Sequence, residues 1–298
     1  MKNIIKAFTG IALSLLMVSA CNVENIKETY TPQTNSEVSF AQANINATAI
    51  LAAQTVFEVP VVRSTPGAAV TVSIKATLPD GLTCPSSVSF AAGESKTVLP
   101  IDISAMAIGS QYKGSIEILD NFNEKVNVVK TNLTLAKAYT WVSLGQGEWF
   151  DNLALMSSDS YGIQKVEVLK AEGFDRYRIV GPYADNAQLA KAWSEDNLGG
   201  AKSAYIEIWS VNGTNLVWDK WWNCGLIYEG EGTDIKAYLP SALNSTQAPN
   251  DAKSKKLSDK FFTLYPYWYI DGVGGFGLYL CALSLPGGPD METWLNEN

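Results

Sequence analysis

Histidine is absent from all 298 residues of the chain. Its absence removes the commonest general base, the Ser/His/Asp and Cys/His nucleophile systems and nearly all catalytic zinc sites. Any catalysis must then run on carboxylates, lysine or tyrosine. Positive charge is scarce as well, with 22 Lys and Arg against 30 Asp and Glu. Phosphate backbones are bound through Lys and Arg clusters, so this balance argues against nucleic acid as a partner. The one dense basic group, Lys253, Lys255, Lys256 and Lys260, reads as a solvated loop. No apolar run reaches the roughly 20 residues needed to span a bilayer. A dinucleotide fingerprint is missing too: "GVGGFG" at 272–277 runs into a strand-like segment where a helix N-terminus is required, so its glycines suit a tight hairpin. Nothing in the sequence calls for a cofactor.

What is present begins with an address. Lys2 and Lys6 precede the apolar run Ala7 to Met17, which fits the h-region of an export signal, about 7 to 15 residues long. Val18, Ser19, Ala20 and Cys21 resemble the lipobox of bacterial lipoproteins. That resemblance implies lipidation of Cys21 and cleavage before it, with several acyl chains holding more firmly than one. An ordinary secreted protein cut near Ala20 is the alternative. Asn22 is not the aspartate associated with inner-membrane retention, so the resemblance implies the outer membrane, with either face open. Residues 1–20 are therefore expected to be a signal peptide, and the polar stretch 21–36, containing Pro32, a tether.

Processing leaves 278 residues with a charge of about −10, enough for two ordinary domains. With Cys21 lipidated, Cys84, Cys224 and Cys281 remain, an odd number in an oxidising compartment. Cys224 and Cys281 are candidates for a disulfide; free, buried thiols are the alternative.

The two halves differ in texture. Residues 37–137 are poor in aromatics and show short alternating runs, "FEVPVVRS", "AVTVSIKAT", "VSF", "TVLPIDIS", "KGSIEIL" and "VNVVKTNLTLA", with a turn at Asp80 and Gly81. Such spacing predicts an antiparallel sandwich. Arg63 at a strand end, then Phe90, Gly93 and Glu94 ahead of alternating Val and Ile, resemble the Calx-beta type of immunoglobulin-like sandwich. Calcium-binding members of that family group acids at one end. Here Asp80, Asp102 and Asp120 are scattered, so no metal is carried over and a spacer or platform role is implied.

Residues 138–298 hold all nine tryptophans, Trp141 to Trp294. They read as a second antiparallel β domain, sandwich or barrel-like, with at most one short helix, over Asp185 to Asp196. "WSVNGTNL" predicts a hairpin with Asn212 and Gly213 in a type I′ turn. "WVSLGQGEWFDNLAL" with "DRYRIVGPY" resembles the C-terminal domain of uncharacterised gut Bacteroidetes lipoproteins. That resemblance implies the cell envelope, polysaccharide handling and no defined reaction.

Alternate residues of a strand share a face. Trp218, Trp222 and Cys224 then lie opposite Asp219, Trp221 and Asn223, and Tyr265, Tyr267 and Tyr269 lie opposite Trp268 and Ile270. One set faces the core and the other is a candidate aromatic platform, unless both faces are buried. Such rings stack on the C–H face of a sugar while Asp, Asn and Lys bond its hydroxyls. The ligand-binding candidates are Trp218, Asp219, Trp221, Trp222, Asn223, Tyr265, Tyr267, Trp268, Tyr269 and Asp271. Glu229, Glu231, Asp234 and Asp271 are the acids near glycine; a glycosidase needs two such groups facing across a sugar. The leading expectation is a membrane-tethered, non-catalytic binding or accessory protein with carbohydrate as preferred ligand. An adhesion or structural module, partnered by other envelope proteins, comes next, and a carboxylate-based glycoside hydrolase or lyase third.

Overall fold

The computed structural model describes residues 37–120, 127–228 and 232–298. The expected signal segment, Cys21 and the tether to residue 36 lie outside the described residues, as do Glu229 and Glu231.

The alternating runs of the first half form strands β1 (Val38–Phe40), β2 (Asn44–Ile50), β3 (Val56–Arg63), β4 (Val70–Thr77), β5 (Ser87–Phe90), β6 (Lys96–Asp102), β7 (Gln111–Ile118) and β8 (Lys130–Lys137). They pair as two sheets, in the orders β1-β3-β6 and β2-β8-β7-β4-β5. Period-2 patterning decides which side chains enter the core. In β6, Leu99 and Ile101 are buried while Val98, Pro100 and Asp102 face solvent, and the inward residues of both sheets make one apolar cluster. The expectation of a wholly antiparallel sandwich needs one correction, since β2 pairs with β8 in parallel. β2 reaches that position by a three-residue step from β1, not through a hairpin with β8.

Arg63, Phe90, Gly93 and Glu94 come together in this half. The buried Arg63 guanidinium donates to the carbonyls of Glu94, Ala68 (2.8 Å) and Ala91 (2.9 Å) and lies 5.2 Å from the Phe90 ring centroid. Glu94 Oε2 accepts the Ala91 N–H. Gly93 has a φ of 79°, where a side chain is disfavoured, and its N–H donates to the Gly67 carbonyl at 2.8 Å. One buried cation thus ties the loop after β3 to the loop after β5 through the carbonyls of both.

From Trp141 onward the chain forms β9 (Trp141–Asp151), β10 (Gln164–Ala171), β11 (Arg176–Val180), β12 (Leu198–Lys202), β13 (Tyr205–Ser210), β14 (Leu216–Trp218), β15 (Trp221–Tyr228), β16 (Thr233–Tyr238), β17 (Lys255–Ser258), β18 (Phe261–Leu264), β19 (Tyr267–Ile270), β20 (Gly274–Leu278) and β21 (Cys281–Ser284). An eight-stranded sheet runs β14-β13-β11-β10-β9-β21-β18-β17. It curls until its outermost strands meet: Leu216 N–H donates to Ser254 O at 3.0 Å and Lys256 N–H to Thr214 O at 2.8 Å. A five-stranded sheet, β12-β15-β16-β19-β20, packs on it. Trp149, Val168, Ile179 and Ile208 from the first sheet share one core with Trp222, Leu226, Ile235 and Trp268 from the second. The fold is therefore mostly antiparallel β, sandwich- and barrel-like, with few short helices.

Helix α1 (Asn186–Ala192) starts where expected, because the Asp185 carboxylate accepts the N–H groups of Ala187 and Gln188, a standard N-cap. Two further helices, α2 (Pro240–Leu243) and α3 (Met291–Glu297), exceed the single one expected. Asp290 caps α3 by accepting the Thr293 N–H, and Trp294 packs 4.7 Å from Phe261. The Asn212-Gly213 hairpin is present, but its turn is wider than type I′. Val211 N–H donates to Asn215 O, and the Asn212 carboxamide accepts the N–H groups of Thr214 and Asn215. Gly213, at φ 78°, supplies a positive φ in that turn.

Candidate functional site

The chain passes from the curled sheet to the five-stranded sheet at the two residues between β14 and β15, Asp219 and Lys220. The period-2 pattern continues through that corner. Trp218, Trp222 and Cys224 are buried, Trp221 is 41 % exposed, Asp219 is exposed and Asn223 half-buried. Trp218 and Trp222 meet at 5.0 Å between centroids, and Trp222 also contacts Trp149 and Trp268. Trp218, Trp222 and Trp268 are therefore core, and their candidacy as ligand-binding residues is withdrawn. Tyr265 is corrected on different grounds: it lies between β18 and β19, outside the five-stranded sheet, with its N–H held by Ser254 Oγ.

Of the remaining candidates, Trp221, Asn223, Tyr267 and Tyr269 share the outer face of the five-stranded sheet with Asp271 in the turn after β19, whereas Asp219 stays in the connection between β14 and β15, outside that sheet. Register places Trp221 opposite Tyr238, and Tyr238 opposite Tyr267. The next row is Asn223, Lys236 and Tyr269. Trp221 and Tyr238 lie 5.3 Å apart at 40°, and Tyr238 meets Tyr269 edge-on at 5.9 Å. Tyr238 is only 8 % exposed, wedged between its neighbours. A Cβ added to Gly275 would lie 2.4 Å from Tyr267 Cε1, so the bare backbone of β20 is what allows the Tyr267 ring to lie down across it.

Polar groups frame these rings. Asp271, in the turn after β19, receives the Tyr238 hydroxyl at 2.7 Å and pairs with Lys236 Nζ at 2.5 Å. The Lys236 ammonium beside it, and then the Tyr238 hydroxyl, hold the Asp271 carboxyl below the usual carboxylate range. Lys236 Nζ also sits 5.1 Å from the Trp221 ring centroid, a cation–π distance. Lys236 and Tyr238 were not among the sequence candidates. Their stretch, "DIKAYLP", is aromatic-poor, and only strand register brings them beside Trp221. Of the acids near glycine, Asp234 is occupied by the Ala201 N–H and Asp271 by Lys236 and Tyr238. Among the described residues no three acid or thiol groups gather in a way that could hold a metal ion.

A second aromatic strip lies on the outside of the curled sheet, around Trp141, Tyr205 and Trp209. Each of its rings carries an arginine, while Trp141 and Trp209 are half-buried and Tyr205 is 43 % exposed. The Arg178 guanidinium sits 4.0 Å from Trp141 and 4.3 Å from Tyr205, Arg176 sits 4.0 Å from Trp209, and Glu207 pairs with both arginines.

Beneath the five-stranded sheet lies a wholly buried polar chain. Trp222 Nε1 donates to the Tyr183 hydroxyl (2.9 Å), and that hydroxyl donates to Asp151 Oδ2 (2.6 Å). Asp151 Oδ1 accepts the N–H groups of Leu153 and Ala154. Burial pushes the Asp151 carboxyl up to about 6, opposed by the Tyr183 hydroxyl, the two amides and Cys281. Cys224 and Cys281 are both buried free thiols, not the disulfide considered from the sequence. Burial, then the Asp151 charge, raises the thiol of each above its ordinary value.

No protein-family model matches the chain, and no curated protein is similar to it. It is similar to solved structures of Bacteroides proteins. A protein of unknown function from Bacteroides ovatus is 10 % identical, with 86 % of this chain and 98 % of that one covered and a TM-score of 0.32. A multidomain protein including DUF1735 from the same organism is 9 % identical over 84 % and 93 %, with a TM-score of 0.31. An auxiliary nutrient binding protein from Bacteroides thetaiotaomicron is 10 % identical over 82 % and 89 %, with a TM-score of 0.33. No ligand is carried over from any of them.

Proposed function

We propose that the protein is a non-catalytic binding protein of the cell envelope, and that it holds carbohydrate on the outer face of the five-stranded sheet. One observation carries the reading: Trp221 is exposed on a face that also presents Tyr267, Tyr269, Asn223 and the Lys236–Asp271 pair. Large rings with a free face suit the apolar side of a pyranose, and adjacent fixed acceptors and donors suit its hydroxyls. In the competing strip on the curled sheet both tryptophans, Trp141 and Trp209, are half-buried and each carries an arginine guanidinium. The test is affinity electrophoresis of the protein and its Trp221→Ala variant through gels containing plant, host and microbial polysaccharides. Retardation of the parent and loss of retardation in the variant support the reading. Retardation that Trp221→Ala leaves unchanged, or none in any gel, refutes it.

The proposal extends to location. The lipobox-like Val18-Ser19-Ala20-Cys21 supports a lipid anchor at Cys21 and the outer membrane. Cys21→Ala then releases the protein from the membrane fraction; its persistence there would sink the anchor.

A further inference from the structure

The outer face of the five-stranded sheet also restricts which carbohydrate fits it, and this step rests on the reading just proposed. The Trp221 ring carries Lys236 on one side and is 41 % exposed. Tyr238 stands next to it, covered by Trp221 and Tyr269 with its hydroxyl turned into Asp271, and has little ring surface left to offer. Tyr267, on the strand beyond, lies across Gly275 and is half-buried. Two stacking surfaces therefore sit two strand spacings apart, roughly 10 Å. A sugar unit with its linkage is about as long as one such spacing, so a chain crossing the strands sets one unit on Trp221, passes one over the covered Tyr238 and sets the next on Tyr267.

Charge narrows the class further. Lys236 packs against the Trp221 ring, and it is already neutralised by Asp271, whose carboxyl it keeps ionised. The chain as a whole carries a net charge of −8. A uronate or sulfate on the ligand would meet a paired lysine and a net-negative protein, whereas neutral hydroxyls meet a fixed carboxylate acceptor and an ammonium donor. We infer that the ligand is an interior stretch of an extended, uncharged polysaccharide, crossing the strands with stacking subsites at Trp221 and Tyr267.

Calorimetric titration of the intact protein with neutral oligosaccharides of increasing length, and with uronate-bearing chains of matched length, tests this. The oligosaccharides are cut from whichever polysaccharide retards the protein. Affinity is expected to rise by about tenfold or more between two units and three or four, then level off. Uronate-bearing chains are expected to bind weakly. Tyr267→Leu, which keeps an apolar cover over Gly275, and Gly275→Ala, whose added methyl lifts the ring, should each remove the gain from the longer chain, and Tyr267→Phe should restore it. Equal affinity for one unit and four, no effect of Tyr267→Leu while Trp221→Ala abolishes binding, or a preference for uronate chains would each overturn the inference and leave the carbohydrate reading standing. Absence of binding to any polysaccharide would overturn both.

Discussion

Asp151 offers the sharpest test of the buried architecture. Its carboxylate is fully buried and receives the Tyr183 hydroxyl and two backbone amides, yet burial outweighs these donors and raises its pKa to about 6. A carboxyl whose pKa is higher in the folded than in the unfolded chain favours folding in its protonated form. Its contribution is whole below about pH 4 and is lost as pH rises through about 6. A shift of about two units corresponds to roughly 3 kcal/mol over that window. The exposed carboxyls with lowered values, such as Asp102 and Asp290, have the opposite slope and act below the same window. Asp151→Asn isolates the effect. The amide oxygen still accepts the Leu153 and Ala154 N–H groups, but the amide nitrogen faces a Tyr183 hydroxyl that already accepts from Trp222. The hydroxyl proton is then orphaned, at about 1–3 kcal/mol. Urea unfolding of both proteins at steps from pH 4 to 7.5 should show the variant less stable by about 1–3 kcal/mol in acid, with the difference falling by roughly 3 kcal/mol as pH rises, so that it closes or reverses above about pH 6. Parallel curves for the two proteins would refute the assignment of Asp151 as a buried, perturbed acid.

Other predictions follow from the same core. Trp222→Ala should cost about 3–5 kcal/mol of stability, as for a large buried ring, while Trp221→Ala, one residue away on the opposite face, should cost under about 1 kcal/mol; equal losses in denaturant unfolding would show that the two faces are misassigned. Cys224 and Cys281 should resist an aromatic disulfide reagent in the native state and react fully once unfolded, whereas half-buried Cys84 should react slowly without denaturant. Mass spectrometry of the unreduced protein reporting a Cys224–Cys281 crosslink would contradict the free-thiol core.

How much of this was legible beforehand depends on the range of the interaction involved. Period-2 patterning separated Trp218 and Trp222 from Trp221 because strand geometry acts between immediate neighbours. The short helix opening at Asp185 and the Asn212-Gly213 turn were legible for the same reason, each resting on a local backbone requirement. The width of that turn was not, since it depends on which residues the flanking strands pair. Likewise Lys236 and Tyr238 join the candidate face only through the register of β15, β16 and β19. The Asp151–Tyr183 bond spans 32 positions and leaves no local mark. Helix α3 does leave one, a capping Asp290 followed by Met291, Trp294 and Leu295 at helical spacing, but the signal is only seven residues long. Trp268 was ambiguous because aromatic strands occur both in cores and on binding faces; only its packing against Trp222 settles its place.

The central claim is that Trp221 belongs to a face built to hold sugar, and oxidative footprinting tests it most directly. Mild oxidation of tryptophan, read residue by residue by mass spectrometry with and without a bound polysaccharide, should modify Trp221 readily in the free protein, spare Trp218, Trp222 and Trp268, and show Trp221 protected when polysaccharide is present. Polysaccharide that leaves Trp221 as reactive as before, while protecting Trp141 or Trp209 on the curled sheet, would contradict the account and move the binding face to the other side of the fold.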